Sequence, residues 1–232
     1  MAEVRRVPVG DVELAVVVRE RTGAAATPCV LLPGTGLTAA SWDGVADRLA
    51  HTRSVYAVDL RGHGVSAWPG RYSVAAMAED VVGLLDRLAG LAGPVDLVGH
   101  SLGGLVALRV CAAAPGRVRR LVLEDVGMPH PRTPAPPTRP PGDLPFDWRV
   151  VEHVRPEVDA PAADWPAVLA ALPVPVLVVA GGPTSFVRAE HVAELVAAVT
   201  DGRAVTLDTG HEVHENDPEG FTAAALAFLD AP

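Results

Sequence analysis

The sequence predicts an α/β fold built on a mostly parallel, doubly wound sheet. Three observations lead to this prediction: short runs rich in valine and leucine recur along the chain, several are continuously apolar, and helical patterns separate them. A continuously apolar run is typical of a parallel strand, because helices cover both faces of the sheet that contains it. Strands that alternate with helices favour parallel pairing over hairpins.

The individual elements follow from these patterns. The residues predicted as strands are 12–18, 30–32, 55–58, 95–98, 118–123, 176–179 and 205–207. The clearest helix follows Ser73 as its N-cap, and Met77, Val81, Leu84, Leu85 and Leu88 form its apolar face. The last helix is predicted to begin after Asp217, with Pro218 at its first position.

One segment, residues 127–166, breaks the alternation. It holds eleven of the 22 prolines, and proline removes a backbone donor and ends helices. We therefore expect extended backbone with one or two short helices, one of them near 148–154. Because the segment falls between two predicted strands, we predict one domain over 1–232 with 127–166 as a short Pro-rich lid; the alternative is a flexible linker. Its aromatic residues Phe146, Trp148 and Trp165 are expected to line the substrate pocket.

The composition of the chain argues against several classes of binding partner and location. The net charge is −9, and the chain has no lysine and no basic run, which argues against a nucleic-acid partner. The N-terminus lacks the apolar region of a secretory signal, and prolines and glycines interrupt the longest uncharged stretch, so we expect no membrane segment. Two cysteines are too few for a disulfide framework, which favours a cytoplasmic location. The oligomeric state stays open.

The strongest chemical signal is a G-x-S-x-G motif centred on Ser101. Predicted strand 95–98 precedes it and a helical pattern follows it, which is the context of a nucleophile held on a sharp strand-to-helix turn. Side chains at Gly99 and Gly103 would clash in so tight a turn. The serine would also lie at a helix N-terminus, which favours a developing anion. The alternative, a glycine-rich turn with an idle serine, does not explain this context.

With three further segments, this motif makes the chain resemble the α/β-hydrolase superfamily over nearly its whole length. The four segments, in the family's order, are Leu-Leu-Pro-Gly-Thr-Gly at 31–36, Asp-Leu-Arg-Gly-His-Gly-Val-Ser at 59–66, Gly-His-Ser-Leu-Gly-Gly at 99–104, and Gly-His at 210–211 before Asp-Pro-Glu-Gly-Phe at 217–221. The resemblance implies a hydrolase fold with no cofactor or metal. It assigns a structural role to 59–66, and the family's usual histidine before the first glycine loop is replaced here by Pro33.

A serine nucleophile needs a base, because an alcohol is weakly nucleophilic at neutral pH. His211 follows the last predicted strand and occupies the family's histidine position, so the resemblance identifies it as that base. The resemblance also assigns the oxyanion hole to the backbone N–H groups of Leu102 and Thr35. His211 and His214 stand three apart in a loop, which does not match the zinc-binding helix motif.

The third catalytic residue departs from the usual family pattern. The loop after predicted strand 176–179, where most members carry an aspartate, has no carboxylate and offers only the hydroxyls of Thr184 and Ser185. Some haloalkane dehalogenases of this fold carry the acid after the strand that corresponds to 118–123. By that comparison we predict Asp125 as the acid, with Glu124 as the alternative on the other side of the strand. A third possibility is that both residues only cap the sheet edge or hold the lid.

The sequence therefore predicts a serine hydrolase acting through an acyl-enzyme on a small organic ester, lactone or related acyl compound. One alternative is a hydrolase that cleaves a carbon–carbon bond of a diketone, since it would use the same residues. Another is a small-molecule binding protein that has lost catalysis, which the loop without a carboxylate would favour. The serine argues against halide displacement and epoxide opening, which use an aspartate nucleophile in this superfamily.

Overall fold

The computed structural model describes residues 2–23 and 26–232, which build one eight-stranded sheet in the order β1-β2-β4-β3-β5-β6-β7-β8. The strands are β1 Glu3–Val9, β2 Val12–Arg19, β3 Ala26–Leu32, β4 Arg53–Asp59, β5 Val95–His100, β6 Val118–Glu124, β7 Val176–Ala180 and β8 Gly202–Thr206. Strand β2 is antiparallel to both of its neighbours, and the remaining pairs are parallel. The predicted mostly parallel sheet is confirmed.

Helices connect the strands and cover the sheet. They are α1 Asp43–Leu49, α2 Val74–Arg87, α3 Leu102–Ala113, α4 Arg149–Asp159, α5 Trp165–Ala170, α6 Ala189–Ala198, α7 Val213–Asn216 and α8 Pro218–Leu229. Two predicted N-caps are present: the Ser73 hydroxyl accepts from Ala76 N–H at 3.0 Å, and the Asp217 carboxylate accepts from Gly220 N–H at 2.8 Å.

Both faces of the central strands are buried, as expected for a doubly wound sheet. Along β3, Val30 and Leu32 point into a core shared with α2, α3 and α6, whereas Cys29 and Leu31 point into a core shared with α1 and α8. This alternation of two apolar sets explains why the central strands show no polar residues at every second position. Because β5 to β8 pair in parallel, their carboxyl ends lie along one edge of the sheet.

The largest differences from the sequence predictions concern three strands. Strand β3 begins at Ala26, four residues earlier than predicted. Strand β1 was not predicted, and it pairs with β2 through a tight turn at Gly10 and Asp11. Strand β8 begins three residues earlier than predicted and ends at Thr206. Its residues are half-buried or exposed because it lies at the edge of the sheet, so the apolar pattern marks it weakly.

The proline-rich insertion 127–166 has no helix before residue 149, as expected from its prolines. The predicted short helix near 148–154 is longer: α4 extends to Asp159 although it contains Pro156, which removes a backbone donor from the helix interior. Among the described residues, no helix is long and apolar enough to span a bilayer.

Candidate active site

Ser101 lies on a sharp turn between β5 and α3. Its backbone adopts φ +51° and ψ −115°, an uncommon conformation for a residue with a side chain. A β-carbon at Gly99 would lie 2.4 Å from the Gly103 carbonyl oxygen, and one at Gly103 would lie 2.4 Å from the Leu32 carbonyl oxygen. The turn therefore requires both glycines, as the sequence predicted, and it holds Ser101 above the sheet.

The two residues expected to form an oxyanion hole lie beside Ser101. Leu102 is the first residue of α3, so its N–H has no acceptor within the helix. The loop after β3 packs tightly on the serine turn, since a β-carbon at Gly34 would lie 3.2 Å from Ser101 Cβ. Thr35 follows Gly34 and lines the same cavity as Ser101 and Leu102.

His211 and Asp125 form a close hydrogen-bonded pair. His211 Nδ1 lies 2.7 Å from Asp125 Oδ2, and the carboxylate side chain is 1% exposed against 13% for the imidazole. An ionised carboxylate only accepts hydrogen bonds, so the network places the proton on Nδ1 and leaves the Nε2 lone pair free. This is the tautomer in which Nε2 can accept a proton from a serine.

Asp125 is the first residue after β6, and the backbone turns sharply there. Its φ is +49°, a left-handed conformation that aspartate tolerates better than most residues, and its N–H donates to the Val179 carbonyl at 2.8 Å. Besides His211, the carboxylate accepts a 2.8 Å hydrogen bond from Gly181 N–H and one from the Ser185 hydroxyl. Three donors thus converge on one buried carboxylate.

Glu124, the alternative acid, does not contact His211. It points to the other face of the strand, where its Oε1 accepts from the N–H and from Nδ1 of His214, at 2.9 and 2.8 Å. The His214 ring stacks on Trp42 with ring centroids 4.0 Å apart. Burial raises the pKa of Glu124 to about 7 and lowers the pKa of His214 to about 4. Glu124 therefore fixes the start of α7, just beyond His211.

The His100 side chain holds the backbone of His211 in place. Its Nε2 donates to the His211 backbone carbonyl at 3.0 Å, because a carbonyl oxygen can only accept. Burial lowers the pKa of His100 to about 4, so the ring is neutral at physiological pH. A neutral ring in this position holds the His211 backbone without adding a charge next to the expected base.

A cavity of about 1250 Å³ opens above Ser101. Ser101, His211, Leu102 and Thr35 line it together. Its walls are mainly apolar and include Leu105, Val126, Met128, Val154, Val158 and Trp165. Among the described residues, no hydrogen bond joins Ser101 Oγ to His211, a contact that often tightens only in the substrate complex.

The three aromatic residues of the insertion are not all in this cavity. Trp165 lines it, but Phe146 and Trp148 do not, which corrects the sequence prediction. Phe146 forms a backbone bridge with His63 and stacks on its ring, with centroids 5.7 Å apart, which turns it away from the cavity. Trp148 packs against Phe146, and both line a separate cavity of about 400 Å³.

The segment 59–66 serves as a brace, as expected. Asp59 Oδ1 accepts from Ala39 N–H at 2.7 Å, and its Oδ2 accepts from Val65 N–H at 3.0 Å. The Ser66 hydroxyl joins the Asp59 carbonyl to Ala15 N–H on β2. None of these groups lines the cavity above Ser101. Over residues 2–23 and 26–232, no three His, Cys, Asp or Glu side chains cluster in a way that could hold a metal ion.

Two residues that line the cavity were not found from the sequence. Phe186 is 70% exposed, yet its ring lies against the His211 ring with centroids 4.1 Å apart. His191 is half-buried on α6 and lines the cavity. The sequence did contain a signal for Phe186, which is an aromatic residue in a loop without a carboxylate. No feature of the helical pattern indicated a role for His191.

Comparisons with known proteins agree with this architecture. A model of the alpha/beta hydrolase family matches residues 29–225, which is most of the chain. The esterase Rv0045c of Mycobacterium tuberculosis is 41% identical over 128 residues, which cover 54% of this chain and 40% of the esterase. The match thus spans less than half of that relative's length.

Two further similarities extend over nearly the whole chain. The N-formylmaleamate deformylase of Pseudomonas putida KT2440 is 29% identical over 91% of this chain and 92% of the relative. The crystal structure of the N-formylmaleamic acid deformylase of Pseudomonas putida S16 superposes with a TM-score of 0.80 at 24% identity, covering 96% of this chain and 100% of that one. At this identity the superposition establishes the fold.

Proposed function

This chain belongs to the alpha/beta hydrolase family, and on that premise we propose that it is a serine hydrolase that cleaves a small organic ester, lactone or related acyl compound through an acyl-enzyme. The observation that carries the proposal is the 2.7 Å hydrogen bond between His211 and Asp125 beside the cavity that also holds Ser101. A nucleophile, a base and a carboxylate on the base are the elements of nucleophilic acyl transfer.

The proposed reaction begins at Ser101. Its Oγ attacks the carbonyl carbon of the substrate while His211 Nε2 accepts the hydroxyl proton. The resulting imidazolium is stabilised by Asp125, which stays ionised. His211 then donates the proton to the leaving group, and the acyl group remains on Ser101. A water molecule, deprotonated by His211, attacks this ester; His211 then returns the proton to Ser101 Oγ as the bond to the acyl group breaks and the acid is released.

The negative charge that develops on the substrate oxygen needs donors in place before the reaction. We assign this role to the backbone N–H groups of Leu102 and Thr35. The position of Leu102 at the start of α3 supports the assignment, since its N–H is free of helical hydrogen bonds and the helix dipole favours an anion there. Pro33 does not interfere, because backbone donors do not depend on that side chain.

The cavity suits a small substrate with an apolar portion. Its walls between α3, α4 and the segment after β6 are lined mainly by aliphatic side chains and by Trp165. We propose that the insertion 127–166 is a lid that shapes this cavity, because residues 127–132 and much of α4 contribute to its lining. The relatives, named as an esterase and a deformylase, support acyl-group hydrolysis as the reaction class.

The alternative of a binding protein that lost catalysis depended on the loop after β7, which has no carboxylate. A carboxylate from the end of β6 in contact with His211 removes that reason. No observation in this cavity favours cleavage of a carbon–carbon bond over cleavage of an ester.

Labelling with a fluorophosphonate probe tests the proposal, because such probes phosphonylate serines that a neighbouring base activates. We expect stoichiometric labelling, mapped to the peptide that contains Ser101 by mass spectrometry. Ser101→Ala should abolish both labelling and hydrolysis of a short activated ester, with an unchanged thermal midpoint. Ester turnover near the wild-type rate in Ser101→Ala would rule out the serine mechanism.

A further inference from the structure

The loop after β7, residues 181–187, lacks the carboxylate but still contacts both His211 and Asp125. The Gly181 N–H donates to Asp125 Oδ1 at 2.8 Å, and the Gly181 carbonyl accepts from Gly210 N–H at 2.9 Å. A β-carbon at Gly181 would lie 1.9 Å from the Gly210 carbonyl oxygen. Only glycine therefore fits between the carboxylate and the loop that carries His211.

Within this loop, Ser185 occupies a defined place in the hydrogen-bond network. Its Oγ contacts Asp125 Oδ2, the same oxygen that accepts from His211 Nδ1, and it also lies 2.9 Å from Val187 N–H. Because the Val187 N–H can only donate, it uses the acceptor capacity of the hydroxyl. Because an ionised carboxylate can only accept, the hydroxyl proton must point at Asp125.

We propose that Ser185 is a positioning residue that orients the Asp125 carboxylate toward His211. The proposal rests on the proposed function, since it concerns the same hydrolytic site. Asp125 follows β6 in a left-handed conformation. Hydrogen bonds to both carboxylate oxygens hold its side chain. Gly181 holds Oδ1, and Ser185 shares Oδ2 with His211.

The hydroxyl has a second consequence for the chemistry. The carboxylate must keep its orientation when the imidazole becomes a cation, and a hydrogen bond donated to Oδ2 restricts its rotation. A hydrogen bond to a charged, buried group is stronger than one between neutral groups. Without Ser185, Oδ2 keeps only His211 as a donor, and the orientation of the carboxylate depends on Gly181 and on the imidazole itself.

A matched pair of variants isolates the hydroxyl from the shape of the side chain. Ser185→Thr keeps the hydroxyl, whereas Ser185→Val introduces a side chain of nearly the same shape as threonine but without the hydroxyl. We expect kcat for a short activated ester to fall about tenfold in Ser185→Val and in Ser185→Ala, on the scale of one hydrogen bond to a charged group, with KM unchanged. Ser185→Thr should retain kcat within about threefold of the wild type.

Thr184→Ala serves as the neighbouring control, because among the described residues the Thr184 hydroxyl donates a hydrogen bond only to the exposed Asp208, at 3.4 Å. A double-mutant cycle then tests whether Ser185 acts through the carboxylate: in an Asp125→Asn background, assayed at high enzyme concentration, Ser185→Val should cost no further activity. Thermal midpoints establish that each variant is folded.

The proposal is overturned if Ser185→Val and Ser185→Ala keep kcat within twofold of Thr184→Ala, or if the loss persists undiminished in the Asp125→Asn background. These results differ from failure of the proposed function. In that case the wild type itself would show neither ester turnover nor fluorophosphonate labelling at Ser101.

Discussion

His211 Nδ1 lies 2.7 Å from an oxygen of Asp125, a residue that directly follows β6 and not β7. The carboxyl ends of β6 and β7 are neighbours in the parallel sheet, and Glu124 pairs with Val179. A carboxylate after either strand can therefore reach an imidazole that follows β8. The position of the acid along the chain can change while its position in space stays nearly the same.

The first prediction separates the two acidic residues at the end of β6. Asp125→Asn should lower kcat by at least a hundredfold, since an amide cannot stabilise the imidazolium and favours the wrong tautomer; in the triad template this change costs roughly 10⁴. Glu124→Gln should lose less than about threefold, because the amide oxygen can still accept from His214. Steady-state kinetics with one activated ester measures both variants. The reverse order of effects would contradict the assignment.

The second prediction concerns the serine turn. Gly103→Ala should destabilise the protein and abolish activity, because the added methyl would lie 2.4 Å from the Leu32 carbonyl oxygen. Such overpacking typically costs about 1–3 kcal/mol, and here the backbone would have to move. Gly93→Ala is the matched control, since no atom lies within 4 Å of its added methyl. Urea denaturation and ester turnover should show a loss in Gly103→Ala alone.

The third prediction tests which aromatic residues contact the substrate. Trp165 lines the cavity above Ser101, whereas Trp148 lines the separate smaller cavity. Trp165→Phe should change KM several-fold for esters with a bulky acyl group and leave KM for an acetyl ester nearly unchanged. Trp148→Phe should leave both unchanged. Equal effects of the two substitutions would place the acyl group elsewhere in the cavity.

Much of the fold was predictable because the buried parallel strands are apolar on both faces. Strand β1 was not predicted, although a turn pattern follows it. Gly10 and Asp11 stand between Val9 and Val12, which is the pattern of a two-residue β-hairpin. Only Val7 and Val9 of β1 are buried, so its apolar content alone does not distinguish it from a tail.

The chain position of Asp125 was predictable because the elements between it and Ser101 are regular. Helix α3 and strand β6 bring the chain back to the same edge of the sheet, so the acid position of some haloalkane dehalogenases could be transferred to Asp125, with Glu124 as the alternative. The contact of Ser185 with Asp125 depends instead on the conformation of an irregular loop. Likewise, Phe146 leaves the cavity because of a single backbone bridge to His63, which no periodic pattern reveals.

The last prediction concerns stability against pH and rests on three buried groups behind His211. In the folded protein, burial lowers the pKa values of His100 and His214 from 6.5 to about 4. The stability that each neutral histidine contributes is fully present above pH 6.5 and is lost as the pH falls through about 4. Glu124 acts in the opposite direction, because burial raises its pKa from 4.5 to about 7. Its contribution is present below pH 4.5 and is lost as the pH rises through about 7.

Between pH 4.5 and 6.5, two histidines therefore increase the free energy of unfolding with pH while one carboxyl decreases it. Glu124→Gln removes the opposing group, so the free energy of unfolding should rise more steeply with pH in the variant than in the wild type. The two slopes should differ by about 1.4 kcal/mol per pH unit, the value for one titrating group. Urea denaturation at half-unit steps measures both slopes, and surface carboxylates cancel because they are common to both proteins. Equal slopes would show that Glu124 is already ionised throughout this range in the folded state.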